Sequence, residues 1–246
     1  MDLPVVLISA AAAAGYCAGL WHGAAADGAG TAAASEAPAA ASAAPGAAVS
    51  VGPVKAGIRS VAASGAGAGV YESERAVHEY LQFHYDATIL RGPSATPDAP
   101  SSALQFAQRV AQKCAQHAKP DRKRSALDVG CAVGGSSFEL SKDFAAVAGF
   151  DFSHTFAATC VELQQKGEKA YEALVSGEVM EKCVAKVPRG SLPERCVFSQ
   201  GDACDLQACA LVGGKTFDCV LAANLLCRLP DPERFLRAQA GLINSE

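Results

Sequence analysis

The sequence predicts an α/β fold of the Rossmann-like type, in which helices cover both faces of one parallel sheet. Short apolar runs alternate with longer segments of helical periodicity, and this alternation is typical of parallel strands joined by helices. A glycine-rich turn also follows the first apolar run directly, as it does in doubly wound folds. We expect strands at 125–129, 147–150, 196–199 and 217–222, and helices at 103–118, 136–144, 156–174 and 231–240.

Three regions are expected along the chain: a low-complexity segment at 1–69, a helical cap at 70–124 and the sheet-containing core at 125–246. The cap begins where charged and apolar residues become mixed. A further helix is predicted there, because a helical period appears in the residues Ala76, Val77, Tyr80, Leu81 and His84. The prolines and glycine within 91–102 predict a loop between the two cap helices.

The first 69 residues are mainly Ala, Gly, Ser and Pro, and only five of them are charged. Such a composition buries too little apolar surface to fold, so residues 24–69 are expected to be a disordered linker. Residues 3–21 are uncharged and approach the length of a membrane-spanning helix, which would allow membrane contact. A signal or transit peptide for a plastid or mitochondrion, a membrane anchor, and plain low-complexity sequence in a cytoplasmic protein all remain open.

Composition and charge favour a small-molecule substrate. The net charge of −4 provides no basic surface for nucleic acid or for anionic lipid. Ten cysteines are spread through apolar runs, where Cys behaves as a small hydrophobic residue, so we expect buried and reduced thiols. No Cys-x-x-Cys pair is present, and we therefore expect no metal site.

The glycine-rich turn runs from the strand at 125–129 into the next helix. Gly130 and Gly134 permit positive φ angles and carry no Cβ, so a ligand can approach the backbone, and the helix start offers free amide groups. The spacing is neither Gly-x-Gly-x-x-Gly nor that of a phosphate loop. The turn therefore predicts a cofactor site of another kind.

Three further polar positions follow strands. Asp151 ends the second strand 21 residues after Gly130, where a carboxylate in doubly wound folds accepts hydrogen bonds from a ribose. Taken alone, Asp151 could instead cap a helix. Asp202 follows the third strand and Asn224 follows the fourth, so all of them are expected at the edge of the sheet where such folds bind ligands.

These four motifs, in this order, resemble those of class I S-adenosylmethionine-dependent methyltransferases. The resemblance implies S-adenosylmethionine as cofactor, with Asp202 accepting from the adenine amino group and the backbone amide of Ala203 facing the ring. The cofactor-binding residues that it implies are Asp128, Gly130, Cys131, Gly134, Asp151, Phe152, Asp202, Ala203 and Asn224.

Two blocks, Tyr-Leu-Gln-Phe-His-Tyr at 80–85 and Asn-Leu-Leu-Cys-Arg-Leu-Pro-Asp-Pro at 224–232, are similar to the methyltransferase part of ovothiol biosynthesis enzymes. This resemblance covers about 71–246. It implies methylation of a mercaptohistidine on a ring nitrogen, and a separate iron-dependent sulfoxide synthase and a lyase that supply the substrate. The alternatives are another small-molecule methyltransferase and a non-catalytic fragment.

Within these blocks, His84 and Tyr85 are candidates for a catalytic base, and Tyr80, Phe83 and Arg228 for substrate binding. The alternative for Tyr80, Phe83 and His84 is that they form the buried face of a capping helix. The alternative for Arg228 is an exposed position before a helix that Asp231 caps.

We expect the core to be C-terminally truncated at Glu246. A class I domain would continue here through its last strands, so the sheet should have four strands and one uncovered edge.

Overall fold

The computed structural model describes residues 5–8, 68–85, 105–176 and 178–244. A turn of 3-10 helix at Ala68–Glu72 precedes the first α-helix. The strands are β1 Val5–Ile8, β2 Ser125–Val129, β3 Ala146–Asp151, β4 Glu168–Ser176, β5 Val179–Lys186, β6 Cys196–Gln200 and β7 Cys219–Ala223. The helices are α1 Glu74–Tyr85, α2 Phe106–His117, α3 Gly135–Leu140, α4 His154–Lys166 and α5 Pro232–Gln239.

The main sheet has five strands in the order β1, β7, β2, β3, β6, and every pair in it is parallel. The four strands predicted from the sequence are all present, each within two residues of its expected bounds. Two buried clusters lie on opposite faces of the sheet. Helices α1 to α4 pack on one face, and α5 with the turns at 203–212 packs on the other. The predicted Rossmann-like architecture is therefore confirmed.

The expectation of a four-stranded sheet is wrong by one strand. The structure places β1 beside β7, with Val5 paired to Val220 and Ile8 to Ala223. Just before the N-terminal end of β7, Phe217 forms a single parallel bridge with Ile243. Four residues from the segment that we expected to take no part in the fold thus cover the edge that we expected to be bare.

The predicted helix at 156–174 is also wrong in its second half. Helix α4 ends at Lys166, because Gly167 takes a φ of 75° and its amide caps the helix by donating to the carbonyl of Leu163. The chain then forms an antiparallel hairpin of β4 and β5 that the helical periodicity did not predict. Tyr171, Ala173 and Ala185 bury one face of this hairpin in the core shared with α1 and α4.

The remaining predicted helices are present, and α3 is shorter than expected. Helix α5 starts as predicted, with Pro232 in its first turn and the Asp231 side chain accepting from the amide of Arg234. Helix α3, predicted to reach residue 144, ends at Leu140. The nine cysteines that the structure describes are free thiols, and seven of them are buried, as expected.

Most of the N-terminal expectations concern residues outside the described part. These are the linker at 24–67, the run at 3–21 apart from β1, and also the loop at 91–102. Among the described residues, no helix is both long enough and apolar enough to cross a membrane.

Candidate functional site

The four sequence motifs meet at the carboxyl edge of the main sheet. The amides of Gly130 and Cys131 both donate to the carbonyl of Phe150, over 2.9 and 3.0 Å. The amide of Gly201 donates to the carbonyl of Asp151 over 2.9 Å. The loops after β2, β3 and β6 are therefore in direct contact, and the end of β7 lies beside the loop of β2 because these strands are paired.

The glycine-rich turn has the backbone that its sequence predicts. Gly130 and Gly134 have φ angles of 71° and 82°, and Ala132 between them is left-handed at 48°. A Cβ on Gly130 would lie 2.8 Å from Cδ1 of Leu225, which is too close for two carbon atoms. The backbone angle therefore favours glycine at position 130, and a Cβ there would in addition displace the Leu225 side chain.

Asp151 joins the glycine-rich turn to the loop after β3. Its Oδ2 accepts from the amide of Ala132 and its Oδ1 from the amide of Ser153, each over 2.9 Å. Ser153, not Asp151, caps helix α4 by accepting from the amide of Phe156, so the alternative role of Asp151 as a helix cap does not apply. An ionised carboxylate offers about four acceptor positions, and two of them remain for a ligand.

Burial raises the pKa of Asp151 to about 6. The hydrogen bonds from Ser153 and Ala132 oppose this rise, while the nearby negative charges of Asp128 and Glu72 add to it. Further donors to this carboxylate, such as the hydroxyl groups of a ribose, would favour its ionised form. The site is therefore suited to a ligand that donates hydrogen bonds.

Asp128 lies beneath the turn. It is only 2% exposed, and its Oδ2 accepts from the hydroxyls of Ser136 and Ser137 over 2.7 and 2.6 Å. Burial raises its pKa, and the two serine hydroxyls oppose the rise. Its carboxylate thus ties β2 to the first turn of α3, whereas the sequence suggested direct contact with the cofactor.

The side chain of Cys131 is equally buried, at 1% exposure, which leaves its backbone as the part that can face a ligand. The loop after β6 adds Asp202, which is half-buried, and its Oδ1 accepts from the amide of Cys204 over 2.7 Å. The following Ala203 is buried.

Phe152 and Asn224 are both half-buried at the same edge. The carbonyl of Phe152 accepts from Nε2 of Gln200 over 3.2 Å, which links the loops after β3 and β6. Asn224 has a φ of 53°, a left-handed conformation that Asn tolerates better than most residues. This conformation turns the chain at the end of β7 and leads directly to Leu225, whose side chain lies over Gly130.

His84 and Tyr85 contact the glycine-rich turn through hydrogen bonds. Nδ1 of the buried His84 accepts from the amide of Gly135 over 3.2 Å, and the hydroxyl of Tyr85 donates to the carbonyl of Val133 over 2.7 Å. Burial lowers the pKa of His84 to about 4 and raises that of Tyr85 well above its ordinary value. The imidazole nitrogen that could accept a proton is thus already engaged, which favours the packing alternative over a catalytic base.

Tyr80 and Phe83 belong to a row of aromatic rings that packs α1 against its neighbours. The ring centroids of Tyr80 and Phe156 are 4.8 Å apart, and those of Phe83 and Phe106 are 5.9 Å apart. Both side chains are half-buried. Arg228 is exposed and ends the 3-10 turn Leu226–Arg228, three residues before the helix cap at Asp231.

Sequence reasoning missed several residues at this site. Glu72 binds the start of α4, Leu225 covers Gly130, and Ser136 and Ser137 hold Asp128. The two serines could have been found, since hydroxyl side chains at a helix start commonly bind a nearby carboxylate or amide. Glu72 could not, because its partners lie more than 80 residues away in sequence. Within the described ranges, no three His, Cys, Asp or Glu residues form a group that could hold a metal ion.

Comparison with known proteins matches residues 127–245 to the family described as a methyltransferase domain. No curated protein matches the chain. Among solved structures, the chain is similar to the cyclase SpnF, with 21% identity and a TM-score of 0.47 over 72% of this chain and 55% of that one.

It is also similar to the magnesium protoporphyrin IX methyltransferase ChlM of Synechocystis PCC 6803 with bound S-adenosylmethionine, with 16% identity and a TM-score of 0.40 over 70% of this chain and 72% of that one. A third similar structure, the glycopeptide N-methyltransferase MtfA, has 15% identity and a TM-score of 0.39 over 59% of this chain and 56% of that one. The chain thus spans just over half the length of SpnF and of MtfA.

The family match covers the glycine-rich turn, Asp151, Asp202 and Asn224, which are the positions that the structure brings to one edge of the sheet. Residues 127–245, which match a methyltransferase domain, therefore include the glycine-rich turn and most of the parallel sheet at whose carboxyl edge the candidate site lies.

Proposed function

We propose that this chain transfers the methyl group of S-adenosylmethionine to a small molecule, and that the acceptor is a ring nitrogen of a mercaptohistidine. The use of S-adenosylmethionine rests on the Asp151 carboxylate, which binds the glycine-rich turn and keeps two acceptor positions for a ligand. The second part rests on the two sequence blocks at 80–85 and 224–232 and their resemblance to ovothiol biosynthesis enzymes.

The residues present suit this cofactor. The left-handed turn at Gly130 brings backbone amides to the ligand without a Cβ in the way. Asp151 would hold the ribose hydroxyls, and the loop with Asp202 and Ala203 would hold the adenine. The cofactor supplies an electrophilic methyl group on a sulfonium, so the protein needs to provide alignment more than acid or base groups.

For its part, the chain must hold the acceptor nitrogen about 3 to 3.5 Å from the carbon that it attacks, and must keep water away. The apolar side chain of Leu225 over Gly130 and the turn that follows it are placed to exclude water from this edge. The exposed Arg228, at the end of that turn, would meet the carboxylate of an amino acid substrate. The methylated ring would carry a positive charge and would lose its proton to solvent after the transfer, when the product leaves the site, since Nδ1 of His84 is engaged elsewhere.

The substrate would come from a separate enzyme. A mercaptohistidine contains a bond between a ring carbon and sulfur, which methyl transfer does not form, so a sulfoxide synthase and a lyase would have to act before this chain. We propose no nucleic acid as a partner, because the net charge of −4 offers no basic surface.

The test is a substrate panel with labelled S-adenosylmethionine, in which mass spectrometry identifies the methylated product. We expect mercaptohistidine to be methylated at least about 10²-fold faster than histidine, because a site built for the sulfur substituent rejects an analogue without it. The Asp151→Ala variant serves as the control for cofactor-dependent transfer. Equal rates with the two substrates, or activity on an unrelated phenol or acid alone, would refute the mercaptohistidine assignment and leave the methyltransferase class intact.

A further inference from the structure

A single segment, residues 68–85, contacts two of the loops that form the cofactor site, namely the glycine-rich turn and the loop after β3. At its C-terminal end, His84 and Tyr85 bind the glycine-rich turn on either side of Gly134, at the amide of Gly135 and the carbonyl of Val133. One of these bonds accepts and the other donates, so together they fix both the position and the rotation of the turn.

The fit of His84 depends on the sequence of the turn. A Cβ on Gly135 would lie 2.8 Å from Nδ1 of His84, so the ring occupies space that only glycine leaves open. The centroids of the His84 and Tyr80 rings are 6.1 Å apart, and His84 itself is 8% exposed. Because the imidazole is enclosed, the amide of Gly135 has this nitrogen in place of water as its partner.

At its N-terminal end, the same segment binds the loop after β3. Glu72 accepts from the amides of His154 and Thr155 over 2.9 and 3.1 Å and from the hydroxyl of Thr155 over 2.6 Å. The carbonyl of Tyr71 accepts from the hydroxyl of Ser153 over 3.0 Å. These contacts begin two residues after Asp151, and they fix the start of α4, on which the direction of the Asp151 loop depends.

We propose that residues 68–85 act as a clamp that sets the distance between the glycine-rich turn and the Asp151 loop, with His84 and Glu72 as its positioning residues. The proposal rests on the cofactor site described above and adds a role for residues that do not touch the cofactor. Asp151 connects the same two loops from inside through the amide of Ala132, so a movement of either loop strains the carboxylate that receives the ligand. The clamp thus acts on cofactor affinity and not on the methyl transfer step.

The decisive comparison is His84→Ala against His84→Asn, with S-adenosylmethionine affinity measured by calorimetry. The alanine variant leaves the buried amide of Gly135 without a partner, and we expect its Kd to rise about tenfold. The asparagine variant places an acceptor oxygen near the position of Nδ1 but cannot act as a base, and we expect its Kd within about threefold of the wild-type value. His117→Ala, at an exposed position, is the matched control.

The other end of the clamp is tested with Glu72→Ala and Glu72→Gln. Because Glu72 is exposed, either variant should fold even if His84→Ala does not. We expect the alanine variant to weaken cofactor binding severalfold and the glutamine variant, which keeps one acceptor oxygen, to weaken it less. Turnover at saturating cofactor should stay within about threefold of wild type in all four variants, since the clamp contacts no reacting atom.

Three results would overturn the clamp. One is an unchanged Kd in both alanine variants, and another is a His84→Asn variant that binds the cofactor as weakly as His84→Ala does. The third is a large loss of turnover in both His84 variants with unchanged Kd, which would make His84 a catalytic base. If the wild-type chain itself fails to bind S-adenosylmethionine, the proposed function fails, and this outcome is distinguishable from all three.

Discussion

At the scale of single residues, the site contains side chains that keep acceptor positions for a ligand, such as Asp151, and side chains that support its loops, such as Asp128 and His84. Asp151 and Gly130 could be predicted because their function follows from strand order and from backbone angle. The roles of Asp128 and His84 could not, since each depends on a partner brought close only by folding, namely Ser136 and Gly135. The presence of a carboxylate or an imidazole in a motif therefore does not show whether that side chain binds a ligand or holds other residues of the site in place.

Replacing Gly130 by valine should abolish cofactor binding. A β-branched residue cannot easily adopt a φ of 71°, and its Cβ would meet Leu225 at 2.8 Å. Calorimetric titration with S-adenosylmethionine checks this, with circular dichroism to show that the variant is folded. A folded variant with normal affinity would mean that the turn serves only the fold.

Cofactor affinity should fall as the pH drops below about 6. The pKa of Asp151 is raised to about 6 in the free protein, and a ribose donates hydrogen bonds to the ionised form, so protonation competes with binding. Between pH 7.5 and pH 5 we expect about a tenfold rise in Kd, measured by titration at each pH. Asp151→Asn should show no such dependence over this range, and a pH-independent wild type would contradict the assignment.

At the scale of helices and strands, hydrophobic pattern predicted the buried strands well and the end of α4 poorly. Four of the strands, β2, β3, β6 and β7, are short apolar runs, and such a run predicts few structures other than a buried strand. The region after Gly167 mixes charged and apolar residues. Many residues of β4 are of types that favour helices, such as Glu, Lys and Ala, so the sequence predicted a helix although charged and apolar residues partly alternate there as in a strand. Tertiary packing of Tyr171 on the core decides between the two structures there.

Gly167→Ala should lower the free energy of unfolding by about 1 kcal/mol. No atom lies within 4 Å of the added Cβ, so the cost comes only from the φ of 75° that caps α4. Urea denaturation measures the change. Gly241→Ala, which also meets no atom within 4 Å but has no positive φ, is the control, and equal effects in the two variants would argue against the cap.

At the scale of the whole molecule, the two faces of the main sheet are covered by different elements. One face carries α1 to α4, which support the cofactor loops, and the other carries α5 and the turns that follow β6. The parallel pairing of the four core strands could be predicted from the sequence, because strands alternate with helices along the chain. The pairing of β1 with β7 could not, since it joins residues more than 200 positions apart and the surrounding sequence has no periodicity.

Deleting residues 1–69 should leave a folded domain that associates more readily. The buried clusters that the structure describes extend from Ala76 to Leu242, so the core remains, but the loss of β1 exposes the edge of β7. Circular dichroism and light scattering over a range of protein concentrations check this. An unfolded deletion variant would show that the N-terminal segment is essential for the core.

The most direct test of the central claim is calorimetric titration of S-adenosylmethionine into the wild-type chain and into Asp151→Ala. We predict binding to the wild type and a loss of about 1.5 to 3 kcal/mol of binding free energy in the variant, the scale expected when hydrogen bonds to a charged acceptor are removed. A wild-type chain that binds no S-adenosylmethionine, or a variant that binds it with unchanged affinity, would contradict the assignment of this edge of the sheet as the cofactor site.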